Sequence, residues 1–197
     1  MKICIDPGHG GYDPGAVNHN VGVTEKALAL KIAALVGGEL ASRGYDVFFT
    51  RELDTFIPLG FRTKIANNEK ADLFISIHLN AAADPAAQGI ETWYYEGSRE
   101  SEHLAAIVQR ELKDQFLAKN RGIKSTRGFY VLKHTTMPAI LVETGFITND
   151  HDIAYLVHQI LSLYGCLKRH LNPLHCFSPT ARTFSCPLYR NCRFRPA

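Results

Sequence analysis

A chain of 197 residues, 46% apolar and 21% charged, has room for one domain with a substantial core and is neither disordered nor fibrous by composition. Its apolar runs fall short of a membrane span, so no transmembrane segment is expected. The net charge of +3 is uneven: Lys168, Arg169, Arg182, Arg190, Arg193 and Arg195 lie in a stretch without acids that begins at Ile153, which leaves residues 1–152 at −3.

The first predicted element is the strand KICI (2–5), followed at once by DPGHGGYDPGA, Asp6 to Ala16, a loop rich in glycine with one histidine. A dinucleotide fold puts its phosphate loop at such a place. Here Gly8 and Gly10 are followed at the third position by Asp13, whose carboxylate repels a pyrophosphate, and no P-loop lysine is present. The other reading is a metal or catalytic loop, in which small residues let backbone and substrate approach His9.

A helix is predicted from Thr24 to Ser42, with Leu28, Ile32, Leu35, Val36 and Leu40 on one face, Glu25 in its first turn and Gly44 as its stop. The strand DVFFT (46–50) follows, then a helix from about Leu59 to Glu69 and the strand DLFISI (72–77), which runs into His78 and Asn80. Next come the strand IETWYY (90–95), a helix from about Glu100 to Ala118, and the strands FYVL (129–132) and AILVE (139–143), the last ending on Glu143. A final helical pattern extends from Ile153 to Leu171. Strands alternating with helices predict a single α/β domain, a mostly parallel six-stranded twisted sheet with helices on both faces.

Past Asn172 the periodicity stops, and prolines, arginines and cysteines dominate. The expected division is a catalytic domain over 1–171 and a basic tail over 172–197 without a stable fold of its own. His170 and His175 have finger-like spacing, but Cys176, Cys186 and Cys192 lack the close cysteine pair of a zinc finger. No basic start with an apolar signal core precedes the first strand, and the five cysteines form no spaced disulfide framework, so synthesis in a reducing compartment is expected.

In an open parallel sheet the carboxyl ends of the strands share one rim, where ligands bind. His9, His78 and Glu143 each lie at such an end, and Glu25 adds a carboxylate at a helix start. Two imidazoles and a carboxylate are a zinc-ligand set that leaves a position for water. A further carboxylate is then needed to move the water's proton, and Glu143 suits that task. Taken singly, each has a plainer explanation: Glu25 as a first-turn acid favoured by the helix dipole, Glu143 as a salt-bridged strand end. His19, His103, His134, His151 and His158 are read as ordinary surface or core residues.

DPGHGGYDPGA, the glutamate of VTEK, SIHLNA and VETGFITN occur here in the order seen in the zinc-dependent N-acetylmuramoyl-L-alanine amidases of the amidase-3 type, which residues 1–165 resemble. The resemblance implies hydrolysis of the amide between the lactyl group of N-acetylmuramic acid and L-alanine in peptidoglycan. It implies zinc held by His9, Glu25 and His78, Glu143 as the catalytic carboxylate, and a supporting or substrate-facing role for Asn80. Peptidoglycan is then the partner, the wall the site of action, and no nucleic acid is expected; phage endolysin and bacterial autolysin both fit. Other zinc amidohydrolases, a peptidase or deacetylase, and a non-catalytic wall-binding protein are the alternatives. The chain departs from the family in its Cys-, Arg- and Pro-rich end.

Overall fold

A computed structural model of the protein describes residues 1–115, 118–158 and 160. The expected helix beyond residue 160 and the tail over 172–197 lie outside the described residues. The strands are β1 (Lys2–Pro7), β2 (Val17–Asn18), β3 (Val23–Thr24), β4 (Asp46–Phe49), β5 (Leu73–Asn80), β6 (Ile90–Tyr95), β7 (Asn120–Thr126) and β8 (Ala139–Phe146). The helices are α1 (Glu25–Ser42), α2 (Leu59–Asn68), α3 (Arg99–Gln115), α4 (Tyr130–His134) and α5 (150–158). Six strands form one sheet in the order β4-β1-β5-β8-β6-β7, and β2 with β3 makes a small antiparallel ribbon. Every pairing in the large sheet is parallel except β6 with β8. The predicted α/β class and six-stranded, mostly parallel sheet are therefore observed.

One strand was misplaced. FYVL (129–132) is not a strand: Phe129 is the N-cap of α4, and Val131 and Leu132 are buried against one face of the sheet. A short apolar run fits either state, and here packing beside α2 decides. The sixth strand is instead Asn120–Thr126, polar and interrupted by Gly122, which is tolerable because among the described residues β7 is an edge that pairs with β6 alone.

The alternation of side chains separates two apolar layers. Ile3, Ile5, Ile77, Leu79, Ile140 and Val142 point to the side covered by α1, α3 and α5, where Leu28, Ala33, Ala105, Ile153 and Leu156 meet them. Cys4, Phe74 and Leu141 point to the other side, under Ala66 of α2 and Val131 and Leu132 of α4. Along that second face the composition changes toward the carboxyl ends of the parallel strands. Cys4 is followed by Asp6, Phe74 by Ser76, His78 and Asn80, and Leu141 by Glu143. One half of the face is core, and the other is a rim of polar groups.

Candidate active site

The loop that carries His9 is held from beneath by two arginines. Arg62, on α2 and 2% exposed, pairs with the buried Asp6 (Nη1 to Oδ1, 2.8 Å) and donates to the carbonyls of Pro7 (2.6 Å) and His9 (2.6 Å). Arg51 donates to the carbonyls of Pro7 (3.0 Å), Gly8 (2.7 Å) and Lys26 (2.9 Å). Thr50 and Ser76 hydroxyls complete the shell around Asp6. A loop of glycine and proline cannot satisfy its carbonyls by secondary structure, so buried guanidinium forks do it, and backbone conformation becomes determinate. His9 is accordingly held at φ 58°, an uncommon region for a residue with a side chain.

Small residues are required where this loop meets the imidazoles. A Cβ on Gly8 would stand 2.4 Å from Cε1 of His78. One on Gly15, whose φ is +64°, would stand 2.6 Å from Oε2 of Glu25 and 2.7 Å from Cδ2 of His9.

Glu25, the first residue of α1, is 4% exposed and sits between both histidines. Its Oε1 lies 3.1 Å from Nε2 of His9 and 2.9 Å from Nδ1 of His78, and it accepts from the Leu79 amide (3.1 Å); Oε2 accepts from the Ala16 amide (3.0 Å). Burial pushes the Glu25 pKa up, but the hydrogen bonds from His78 and His9 outweigh it and hold the carboxyl well below the usual range. The other ring nitrogen of His9, Nδ1, is 2.9 Å from Oδ2 of Asp13, an arrangement that fixes the tautomer and orients Nε2 toward Glu25. Burial lowers the His9 pKa, and the two carboxylates more than reverse that.

Among the described residues, His9, Glu25 and His78 form the group that could hold a metal ion, each offering one ligand atom within 4.8 Å of the others. The donor set fits zinc: two imidazole nitrogens and one carboxylate oxygen, with a carboxylate behind His9 as catalytic zinc sites use. The histidine side chains are 24% and 20% exposed, so a substrate can reach them.

Glu143 stands beside this group, in register with His78 across the β5–β8 pairing. Among the described residues its Oε2 is the buried side-chain oxygen that has no hydrogen-bond partner. Burial pushes its pKa up to about 7; the charges of His78 and His9 work against this, and those of Glu25 and Glu91 add to it. An unpaired, desolvated carboxyl is costly to keep, and such groups cluster at functional sites.

Asn80 is engaged from both ends of its amide. Nδ2 donates to Oε1 of Glu91 (2.9 Å), and Oδ1 accepts from the Ala81 amide (2.9 Å). Glu91, Asp6, Arg51 and Arg62 were missed at the sequence level. Each is a single charged residue in a strand, loop or helix, with partners tens of positions away.

The chain is similar to known proteins in sequence and in fold. The family described as N-acetylmuramoyl-L-alanine amidase (amidase-3) matches residues 3–161. The N-acetylmuramoyl-L-alanine amidase LytC of Bacillus subtilis is 41% identical over 161 residues, 80% of this chain and 32% of that protein; the chain thus spans about a third of its length. The sporulation-specific N-acetylmuramoyl-L-alanine amidase of the same bacterium is 36% identical over 195 residues, 96% of this chain and 73% of the other. The crystal structure of an N-acetylmuramoyl-L-alanine amidase from Clostridium difficile 630 superposes with a TM-score of 0.78 at 36% identity, covering 90% of this chain and 98% of that one. With this agreement in sequence and overall fold, the chain belongs to the amidase-3 family of N-acetylmuramoyl-L-alanine amidases.

Proposed function

We propose that the protein is a zinc-dependent peptidoglycan hydrolase that cleaves the amide between the lactyl group of N-acetylmuramic acid and L-alanine. The observation that carries this reading is the unpartnered buried oxygen of Glu143 beside the convergent atoms of His9, Glu25 and His78.

His9, Glu25 and His78 would hold the ion, and Asp13 would fix the His9 ring. When bound, zinc supplies a water acidified to a pKa of roughly 7 and polarises the substrate carbonyl. Glu143 accepts the proton of the attacking water and returns it to the amide nitrogen, so that alanine leaves with a free amino group. Its burial disfavours the charged form, which helps it to take up the proton it then passes on. Asn80 keeps the strand end in place through Glu91 and Ala81. The place of action is the cell wall.

Digestion of purified wall tests the reading. Release of peptides with a new L-alanine amino terminus supports it. New termini at other residues, or released acetate, would indicate a peptidase or deacetylase; binding without any release would indicate a wall-binding protein.

A further inference from the structure

Glu91 is 1% exposed and lies directly across the β6–β8 ladder from Glu143, so both side chains project from the same face of the sheet. Unlike Glu143, its carboxylate is saturated. Oε1 accepts from Asn80 (2.9 Å) and Trp93 Nε1 (3.0 Å); Oε2 accepts from Arg121 Nε (2.7 Å) and Lys124 Nζ (2.6 Å). Two cations of β7 thus converge on one oxygen. Each also lies over a ring, Lys124 Nζ 5.2 Å from the Trp93 centroid and the Arg121 guanidinium 4.9 Å from that of Phe146. Their side chains are 33% and 30% exposed. Lys124 gives one of its three N–H groups to Glu91, and Arg121 gives Nε and a long contact from Nη1 to the Gln88 carbonyl (3.5 Å). Donors therefore remain on a pair whose two positive charges face one negative charge.

We propose that Arg121 and Lys124, fixed by buried Glu91, form a subsite for a carboxylate on the peptide side of the scissile amide. The inference rests on the amidase reading above. The chemistry selects the peptide side: N-acetylmuramic acid is uncharged once its lactyl carboxyl is in the amide bond, so the carboxylates of the substrate lie in its stem peptide. Glu91 lies one strand spacing of about 5 Å from Glu143, and the cations reach back to it from β7, the next strand. A carboxyl on the residue after alanine lies roughly 7 Å along an extended peptide from the reacting bond. Arg127, further along the same rim, is already paired with Glu96 (2.9 Å), so it does not compete.

The test uses two soluble substrates with the γ-carboxyl blocked as a methylamide, N-acetylmuramoyl-L-alanyl-D-glutamate and the same compound with D-isoglutamine, so that they differ only where the second replaces the α-carboxylate by a neutral amide. The protein should prefer the acid by about tenfold in kcat/KM, mostly through KM, as expected for a charge-assisted hydrogen bond at a partly exposed site. Lys124→Gln and Arg121→Gln should each reduce that ratio, and Lys124→Arg should restore it. Because the readout is a ratio within one protein, a general loss of stability does not imitate it. Equal turnover of both compounds, or a preference untouched by both Gln substitutions, would overturn the subsite while leaving the amidase standing. Cleavage of neither compound, with none of intact wall, would overturn the amidase reading and the subsite with it.

Discussion

Glu143 and Glu91 face each other across adjacent antiparallel strands, yet one keeps a buried oxygen without a partner and the other has both oxygens filled by four donors. Two neighbouring carboxylates thus have opposite environments. Glu91 is neutralised and held in place; Glu143 is desolvated and left available. Pairs of acids whose surroundings drive them apart are the usual mark of separate tasks.

The first prediction concerns the arginine beneath the His9 loop. Arg62→Met removes a buried partner of Asp6 and the donors to Pro7 and His9. Leaving Asp6 unpaired should cost about 3–5 kcal/mol. For a chain of this size the melting temperature should fall on the order of 10 °C. An unchanged melting curve would show that the clamp contributes nothing.

Gly15 is a second point of leverage. Gly15→Ala places a methyl group against Glu25 and His9 in a backbone region unfavourable to alanine. The variant should fold with less than the roughly one zinc per chain expected of the parent. Circular dichroism and elemental analysis after dialysis would check both halves. Full zinc content would mean that the loop yields without disturbing the ligands.

Acid sensitivity follows from Glu91. Burial raises its pKa, but hydrogen bonds from Lys124, Arg121 and Trp93 prevail and hold it below the ordinary value. The folded state then binds this proton less readily than the unfolded chain. The stabilisation is complete above the unfolded pKa of about 4.3 and is lost as pH falls through the lower folded value. The melting-temperature gap between the parent and Glu91→Gln should narrow from pH 7 toward pH 3. A gap that stays constant would remove Glu91 as a source of acid sensitivity.

Much of the site could be read from the chain because function coincides with strand ends. His9, His78 and Glu143 each follow an apolar run, and Glu25 opens a helix, so local pattern alone was enough to put them on one rim. The supporting groups leave no such trace. Arg62 and Asp6 are 56 positions apart, and Arg51 reaches Gly8 across 43. Glu91 sits inside IETWYY as an ordinary polar alternation, and its importance arises only when β8 and β7 flank it. The strand Asn120–Thr126 was missed because an edge needs no apolar run, and FYVL was misread because four residues are too few to show a period.

The domain boundary proposed at residue 171 gives a further expectation. Ile153, Leu156 and Ile160 pack into the core, so the catalytic unit must extend past them. A chain stopped after Leu171 should keep its melting temperature and its turnover of soluble muropeptides. Its binding to intact walls should fall, most strongly at low salt, because four arginines are lost. Unfolding on truncation would show that residues 172–197 belong to the domain.

The central claim is that Glu143 moves the proton while His9, Glu25 and His78 hold the metal. Glu143→Gln keeps the shape and removes the base, so kinetics on a soluble muropeptide combined with zinc analysis of the same sample is the direct measurement. Zinc should be retained, and kcat and kcat/KM should fall together by roughly 10²–10⁴. Full activity, or zinc lost along with activity, would contradict the account.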